Sequence, residues 1–262
     1  YIYIYFILYI YILVSMKIAL IIYGFVRDIE QSYKEHKFFL DNYDCDIYIS
    51  TWNILGKKKS PKVYGDKSTD WTDYEELLDV NKLLSLFNPR AYEIEDIHDF
   101  NNKYDDTFIN NYLKKYNFTS YSRCKNSIIG QYYRIKSLWN LFNTNKNDNV
   151  HYDLIIRSRF DNKFPTKITL NNILKDNSMY VTNWWGRDGV DDFFYMSNSY
   201  ETMNILCNVF DYVLTSKNML SDKYIKPQQG RSGPVPELIV AHLLRINNIK
   251  INNMGIKMSL IK

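Results

Sequence analysis

Residues 18–28 read IALIIYGFVRD, an uncharged apolar run that ends in a glycine and is followed by an arginine and an aspartate. A continuous run of this kind is typical of a parallel strand that is covered on both faces. Gly24 permits a close approach of the backbone, and the start of the helix that follows favours an anion. A lone glycine is neither a dinucleotide-binding fingerprint nor a P-loop, so a plain strand-to-helix turn stays open as the alternative.

Similar apolar runs alternate with helical patterns along the rest of the chain, and this alternation sets the fold class. The predicted strands cover residues 18–23, 45–50, 90–94, 152–157, 178–182, 193–196 and 249–251. The predicted helices cover residues 28–40, 74–87, 105–116, 128–142, 200–215 and 235–246. Strands that alternate with helices predict an α/β fold with a mainly parallel central sheet and helices on both faces.

The composition is that of a soluble globular protein, with 46% hydrophobic and 24% charged residues among 262. A net charge of +4 without a dense Lys/Arg tract gives no sign of a nucleic-acid partner. Cys45, Cys124 and Cys207 lie far apart and lack metal-ligand spacing, so a structural zinc site is not predicted. A low, odd cysteine count suits a reducing compartment, so we expect a cytoplasmic protein in a bacterial or virus-infected cell.

The beginning of the chain differs from the rest, because residues 1–14 read YIYIYFILYIYILV and carry no charge. The segment lacks the basic start and small-residue cleavage site of a signal peptide, and it is shorter than the roughly 20 residues of a spanning helix. Met16 follows directly, so we expect residues 1–15 to be upstream translation or a non-domain extension and residues 16–262 to form one domain. A short membrane anchor and an additional strand are the alternatives, and no stable membrane span is predicted.

The sequence YDLIIRSRFD, residues 152–161, carries the sharpest chemical signal. Ligands of open parallel sheets bind at the carboxyl ends of the strands, and strand geometry places Arg157, Arg159 and Asp161 on one face there. The forked donors of two arginines can neutralise a diphosphate, and Asp161 beside them could hold a divalent cation that bridges the phosphates. A surface ladder of salt bridges is the alternative.

Aromatic and acidic side chains follow two other predicted strands. Trp52, Trp184 and Trp185 offer flat apolar surfaces that could pack on a sugar ring, although Trp52 could equally belong to the core at the sheet edge. Asp191 and Asp192 stand at the mouth of a strand, where a general base would be placed. Solvated acids in a β-turn are the alternative for this pair.

Glu237 stands at the start of the last large predicted helix, directly after a proline. We count Glu237 with the two aspartates as a catalytic candidate, while a carboxylate that merely complements the helix dipole is the alternative. His242 lies five positions later, and we interpret it as a buried or half-buried helix histidine.

Taken together and in order, these segments resemble a family of GT-A-like glycosyltransferases that occurs in large DNA viruses, phages and bacterial polysaccharide gene clusters. Each motif is weak alone, but the ordered set extends over residues 17–251. The segments that carry the resemblance are the opening strand with its glycine and arginine (residues 17–27), the D-to-T-W second strand (residues 46–53), the helix residues Gln131 to Ile135, the R-x-R-x-D signature (residues 152–161), and the landmarks Asp191-Asp192-Phe193 and Pro236-Glu237-Leu238.

The resemblance implies a GT-A-like, Rossmann-like domain, a nucleotide-sugar donor, and a glycan or other hydroxyl acceptor. Gly24, Arg27 and Gln131 would lie near the nucleotide, and Asp161 would occupy the position of the metal-binding aspartate, with Mn²⁺ or Mg²⁺ as the cation. The usual metal motif is Asp-x-Asp, whereas Arg159 stands here in place of the first acid. The arginines would then be able to stabilise the leaving diphosphate themselves.

Two other functions stay open at this point. A lost metal ligand would suit a non-catalytic module that binds nucleotide sugars or glycans. Another α/β transferase of phosphorylated donors, such as a nucleotidyltransferase or a sulfotransferase, would be favoured by a glycine-rich phosphate loop, and the sequence contains none.

Overall fold

The computed structural model describes residues 16–56, 76–105, 107–108, 129–164, 170, 177–185, 189–215 and 236–261. In these ranges a central sheet is formed by β1 (Lys17–Tyr23), β2 (Asp44–Trp52), β3 (Ala91–Glu95), β4 (Leu154–Arg159), β6 (Met179–Val181), β9 (Phe194–Ser197) and β10 (Ile251–Asn253). Two small antiparallel pairs accompany it: β5 (Asn162–Lys163) with β11 (Ser259–Leu260), and β7 (Trp184–Trp185) with β8 (Gly189–Val190). The helices are α1 (Ile29–Asn42), α2 (Val80–Phe87), α3 (Ile97–Lys103), α4 (Gly130–Asn145), α5 (Tyr200–Cys207), α6 (Val209–Thr215) and α7 (Pro236–Ile246).

The central sheet has the strand order β10-β6-β9-β4-β1-β2-β3. β9 runs antiparallel to both of its neighbours, whereas the other adjacent strands are parallel. The predicted α/β class with a mainly parallel sheet is therefore confirmed. The chain places β2 and β3 successively on one side of β1 and then returns to add β4 on the other side. The point between β1 and β4 is thus a topological switch point, where α/β sheets bind ligands beyond the carboxyl ends of the strands.

Both faces of the sheet are covered by helices, as predicted. Ala19, Ile21 and Tyr23 of β1 point into the cluster that holds α3 to α7. The alternate residues of the same strand, Ile18 among them, enter the cluster that holds α1 and α2. Burial on both faces explains why β1 has aliphatic side chains at consecutive rather than alternating positions.

Several element boundaries differ from the prediction for local reasons. α2 begins at Val80 rather than at residue 74, because the Asp79 side chain accepts a hydrogen bond from the backbone of Lys82 and caps the helix there. The helix predicted over 200–215 is two helices, since the Asn208 side chain bonds to the carbonyl of Asn204 and competes with the helical pattern.

The remaining differences concern two helices and the ends of two strands. β4 extends to Arg159, two residues beyond the predicted end, and β10 starts two residues later than predicted. α3 was not predicted, because its seven residues are too few to show a helical period. The helix predicted over 105–116 falls mostly outside the described residues.

Candidate functional site

The turn after β1 brings an arginine to the switch point. Gly24 has φ +95°, a conformation that side chains rarely adopt, and its carbonyl accepts a hydrogen bond of 2.7 Å from the Thr51 hydroxyl. An added Cβ at this position would meet no atom within 4 Å, so the backbone conformation and not the space requires glycine. The turn leads to Arg27, whose Nη2 lies 3.1 Å from an oxygen of Asp161.

A second glycine, which sequence reasoning did not single out, supports this turn. The Gly56 amide donates to the carbonyl of Val26 at 2.8 Å. A Cβ at position 56 would lie 2.6 Å from Cβ of Phe25, so any other residue would push the turn away. The one available signal in the sequence was a glycine soon after the end of the second strand.

Arg159 and Asp161 form the centre of the site. Nε and Nη2 of Arg159 each lie 2.9 Å from an oxygen of Asp161, so the ion pair is bidentate. Nη1 of the same guanidinium lies 3.6 Å from Asp192. Side-chain exposure is 19% for Arg159 and 23% for Arg27 but only 6% for Asp161, so the carboxylate is enclosed while both arginines reach solvent.

Arg157 lies on the same face as Arg159, but it is fully buried. Its guanidinium carbon is 4.8 Å from the ring centre of Tyr23 and 4.2 Å from that of Tyr195. Nη2 donates to the carbonyl of Asp192 at 2.5 Å, whereas Nε and Nη1 have no hydrogen-bond partner among the described residues. Arg157 therefore supports the acidic segment from below, and its direct contact with a donor stays a prediction.

The three acids at this edge lie in different environments. Asp192 is anchored, because it accepts a hydrogen bond of 2.7 Å from Gln131 and faces Arg159. Burial, reinforced by the Asp192 carboxylate, raises the pKa of Asp191 to about 6. The same two causes raise the pKa of Glu237 to about 7, and its buried Oε2 has no hydrogen-bond partner among the described residues. Asp191 and Glu237 can thus exchange protons near neutral pH.

A buried polar network beneath the site was missed, because His36 read only as a semi-apolar helical position. Nδ1 of His36 lies 2.8 Å from the carbonyl of Ser32, which can only accept, so the network assigns the proton to Nδ1. Nε2 then accepts from the Ser158 hydroxyl at 2.8 Å, and that hydroxyl accepts from the Asn162 amide at 2.9 Å. Burial lowers the pKa of His36 to about 4, so it is neutral. The network fixes both sides of the turn that carries Asp161.

Of the three tryptophans predicted as sugar platforms, Trp52 is the one whose side chain the structure describes. Trp52 is 2% exposed, and its ring is covered by Phe100, by Tyr133 and by the guanidinium of Arg134 at 4.1 Å. Trp52 is therefore a core residue at the sheet edge, which was the alternative to a sugar platform. The side chains of Trp184 and Trp185 lie outside the described part of the chain. His242 is buried, as expected.

The donor set at Asp161 does not fit a metal ion as the side chains are arranged. Both carboxylate oxygens already accept from guanidinium groups. A divalent cation needs free carboxylate oxygens and is repelled by positive neighbours. Within the ranges that the structure describes, no three or more His, Cys, Asp or Glu side chains gather around one point.

No model of a known protein family matches the chain, and a search of curated proteins finds no match either. None of the helices within the described ranges has both the length and the apolar character needed to cross a bilayer.

Proposed function

We propose that the chain is a glycosyltransferase of the GT-A-like kind, which acts in the cytoplasm. It would move a sugar from a nucleotide-sugar donor to a hydroxyl group of a glycan, a lipid or a protein. One observation carries this proposal: at the switch point between β1 and β4, the partly exposed Arg27 and Arg159 meet at Asp161, and Arg159 also interacts with two acids whose pKa values lie near neutrality. The two halves of a glycosyl transfer need these two kinds of group.

The arginines suit the donor half of the reaction. When the bond between the sugar and the diphosphate breaks, negative charge develops on the phosphate oxygens. Arg27 and Arg159 present forked N–H donors at the edge where α/β sheets bind nucleotides, and such donors match phosphate oxygens in geometry and charge. Guanidinium donors that reach these oxygens stabilise the charge that develops on them.

The acids suit the acceptor half of the reaction. In an inverting transfer, a base removes the proton from the acceptor hydroxyl as it attacks the sugar. A base works best when its pKa is close to the working pH, which favours Glu237 and Asp191. Asp192 is held by Gln131 and Arg159, so we assign it a positioning role.

A screen of donors tests the proposal. The protein is incubated with UDP-, GDP- and CMP-sugars, in EDTA and in Mn²⁺, and both donor affinity and donor hydrolysis are measured. We expect at least one donor to bind and to be hydrolysed, with Arg159→Ala as the variant that binds weakly. Binding without turnover would identify a binding module instead, and no binding of any donor would contradict the proposal. The two ionic conditions also test the predicted divalent cation.

A further inference from the structure

Asp161 occupies the position of an anion between two arginines. Its oxygens lie 2.9 Å from Nε and 2.9 Å from Nη2 of Arg159, and one of them lies 3.1 Å from Nη2 of Arg27. The two guanidinium groups converge on this single carboxylate from the turn after β1 and from the end of β4. This is the contact geometry that arginines also offer to phosphate oxygens.

The surrounding donors exceed what one carboxylate can use. Nε of Arg27, together with Nε and Nη1 of Arg157, is buried without a hydrogen-bond partner among the described residues. Arg157 is fully buried, so these unpaired N–H groups are costly unless something else accepts from them. Arg27, which pairs with Asp161 through Nη2, therefore retains a donor for an anion with more oxygens than a carboxylate has.

A metal ligand would need the opposite surroundings. A cation at Asp161 would have to displace both guanidinium groups and would then lie beside their positive charges. Arg159, two positions before Asp161, places a repelling group beside that carboxylate where a metal site would need a second acid.

We propose that Asp161 is an internal counter-ion which a diphosphate displaces from Arg27 and Arg159, and that the diphosphate binds there without a divalent cation. This inference rests on the proposed function in that it identifies the diphosphate with the donor of the transferase. It reverses the expectation for one substitution. Removing a metal ligand abolishes donor binding, whereas removing a competing internal anion strengthens it.

The test is a calorimetric titration with inorganic pyrophosphate, in EDTA and in MgCl₂. We expect the wild type to bind pyrophosphate in EDTA and Asp161→Asn to bind it about tenfold more tightly, because the ion pair with Arg159 no longer has to be broken first. Asp46→Asn is the matched control, since Asp46 also bridges two cations but lies at the other end of the sheet. We expect its affinity to equal that of the wild type.

Three results would overturn the inference: binding that requires Mg²⁺, weaker binding by Asp161→Asn, or no pyrophosphate binding by the wild type. If Asp161→Asn fails to fold, as judged by circular dichroism, Arg27→Gln replaces it, because this variant leaves the Arg159–Asp161 pair intact. An affinity in EDTA at least about tenfold below the wild type is then expected, and an unchanged affinity overturns the proposal.

The inference and the proposed function can fail separately. If pyrophosphate binds as expected but the protein turns over no nucleotide sugar, the anion site is supported and the proposed glycosyltransferase activity is contradicted. If turnover depends on Mg²⁺ and is lost in Asp161→Asn, the proposed enzyme activity is supported and the role of Asp161 as a counter-ion is contradicted.

Discussion

Two aspartates bridge two cations at opposite ends of the same sheet. At the amino end, Asp46 lies 2.9 Å from Nζ of Lys17 and 3.4 Å from Nη1 of Arg90. At the carboxyl end, Asp161 lies between Arg27 and Arg159 at similar distances. The local pattern of charges is nearly the same, so the charges alone do not show which end binds a ligand.

The two aspartates differ in what remains unsatisfied in the groups around them. Asp46 also accepts from the Tyr152 hydroxyl at 2.6 Å, and Nε of Arg90 donates to the carbonyl of Asn145 at 3.1 Å, so this network is closed. At the other end, several buried atoms lack a hydrogen-bond partner among the described residues: Arg27 Nε, Arg157 Nε and Nη1, Tyr195 Oη and Glu237 Oε2. A closed network holds strands together, whereas unused buried donors and acceptors mark a place that a ligand or water must complete.

The largest expected effect is on the rate of donor hydrolysis, and it should arise from a residue at the carboxyl end of the sheet. We expect Glu237→Gln to lower donor hydrolysis by about 10²–10⁴-fold while donor affinity stays unchanged, because the amide cannot accept the proton. In the wild type, the rate should rise with pH through the pKa of Glu237 at about 7, since only the carboxylate form is a base. Steady-state rates across this pH range measure both effects.

The control for this prediction is another acid in the first turn of a helix. Glu201 stands in the first turn of α5 and is exposed, so Glu201→Gln should leave the rate unchanged. A midpoint near 6 together with an inactive Asp191→Asn would instead assign the base to Asp191, whose pKa is about 6. Full activity of both Glu237→Gln and Asp191→Asn would remove the base from this edge.

The next effect is on the free energy of unfolding, and it arises from His36, which lies beneath the carboxyl end of the sheet. Burial lowers the pKa of His36 from 6.5 to about 4, so between these values the unfolded chain binds more protons than the folded one. The free energy of unfolding should therefore fall as the pH falls through this window, by roughly 3 kcal/mol in total. Urea denaturation at a series of pH values measures the slope.

The His36→Gln variant isolates this contribution from that of the carboxylates. Its free energy of unfolding should lose this part of the pH dependence. Asp46→Asn should keep it, because the described partners of Asp46 are Lys17, Arg90 and Tyr152 and not His36. Equal slopes in the wild type and in His36→Gln would show that His36 does not carry the effect.

Sequence reasoning predicted that Arg159 and Asp161 lie together at one edge of the sheet, because their positions depend on a pattern that is local along the chain. An apolar run followed by charges marks the end of a buried strand, and this placed Arg159 and Asp161 at the carboxyl edge. For Trp52 a core position was one of two open alternatives, and for Arg157 burial was not predicted. The burial of both residues is a tertiary effect. It depends on Tyr133 and Tyr195, which lie far along the chain and meet them only in the folded protein.

The network around His36 shows the same limit of local reasoning. His36 and Ser158 are 122 positions apart, and neither residue type signals a contact with the other. The different surroundings of Asp191 and Asp192 likewise depend on Gln131 from α4. Helical and strand periods predict which elements form, whereas the partner of each polar group depends on how those elements pack.

A smaller effect compares one arginine from each end. Arg159→Ala should weaken pyrophosphate binding by about 10–100-fold, the loss expected for charge-assisted hydrogen bonds to phosphate. Arg90→Ala removes a guanidinium that also pairs with an aspartate, but the resulting affinity should match that of the wild type. Calorimetric titrations of both variants provide the measurement. Equal losses in the two variants would mean that general charge, rather than this site, attracts the anion.

The smallest expected effect is the loss of stability when the ion pairs of Asp46 are removed. Asp46→Asn should lower the free energy of unfolding by about 1 kcal/mol at neutral pH, because the amide keeps some hydrogen bonds but loses the attraction to Lys17 and Arg90. Burial alone would raise the pKa of Asp46, but the hydrogen bonds from Tyr152 and Lys17 outweigh it and lower the pKa.

The contribution of Asp46 to stability also falls as the pH falls, but for a different reason than that of His36. The folded state favours the charged form of Asp46, whereas it disfavours the charged form of His36. A carboxylate with a lowered pKa stabilises the fold above the pKa of the unfolded chain, and this stability is lost as the pH falls through the lower value in the folded state. The difference in unfolding free energy between the wild type and Asp46→Asn should thus be constant above about pH 5 and shrink below it. Donor hydrolysis by the variant should equal that of the wild type. A loss of turnover with unchanged stability would show that the amino end takes part in function, and the distinction between the two ends would then fail.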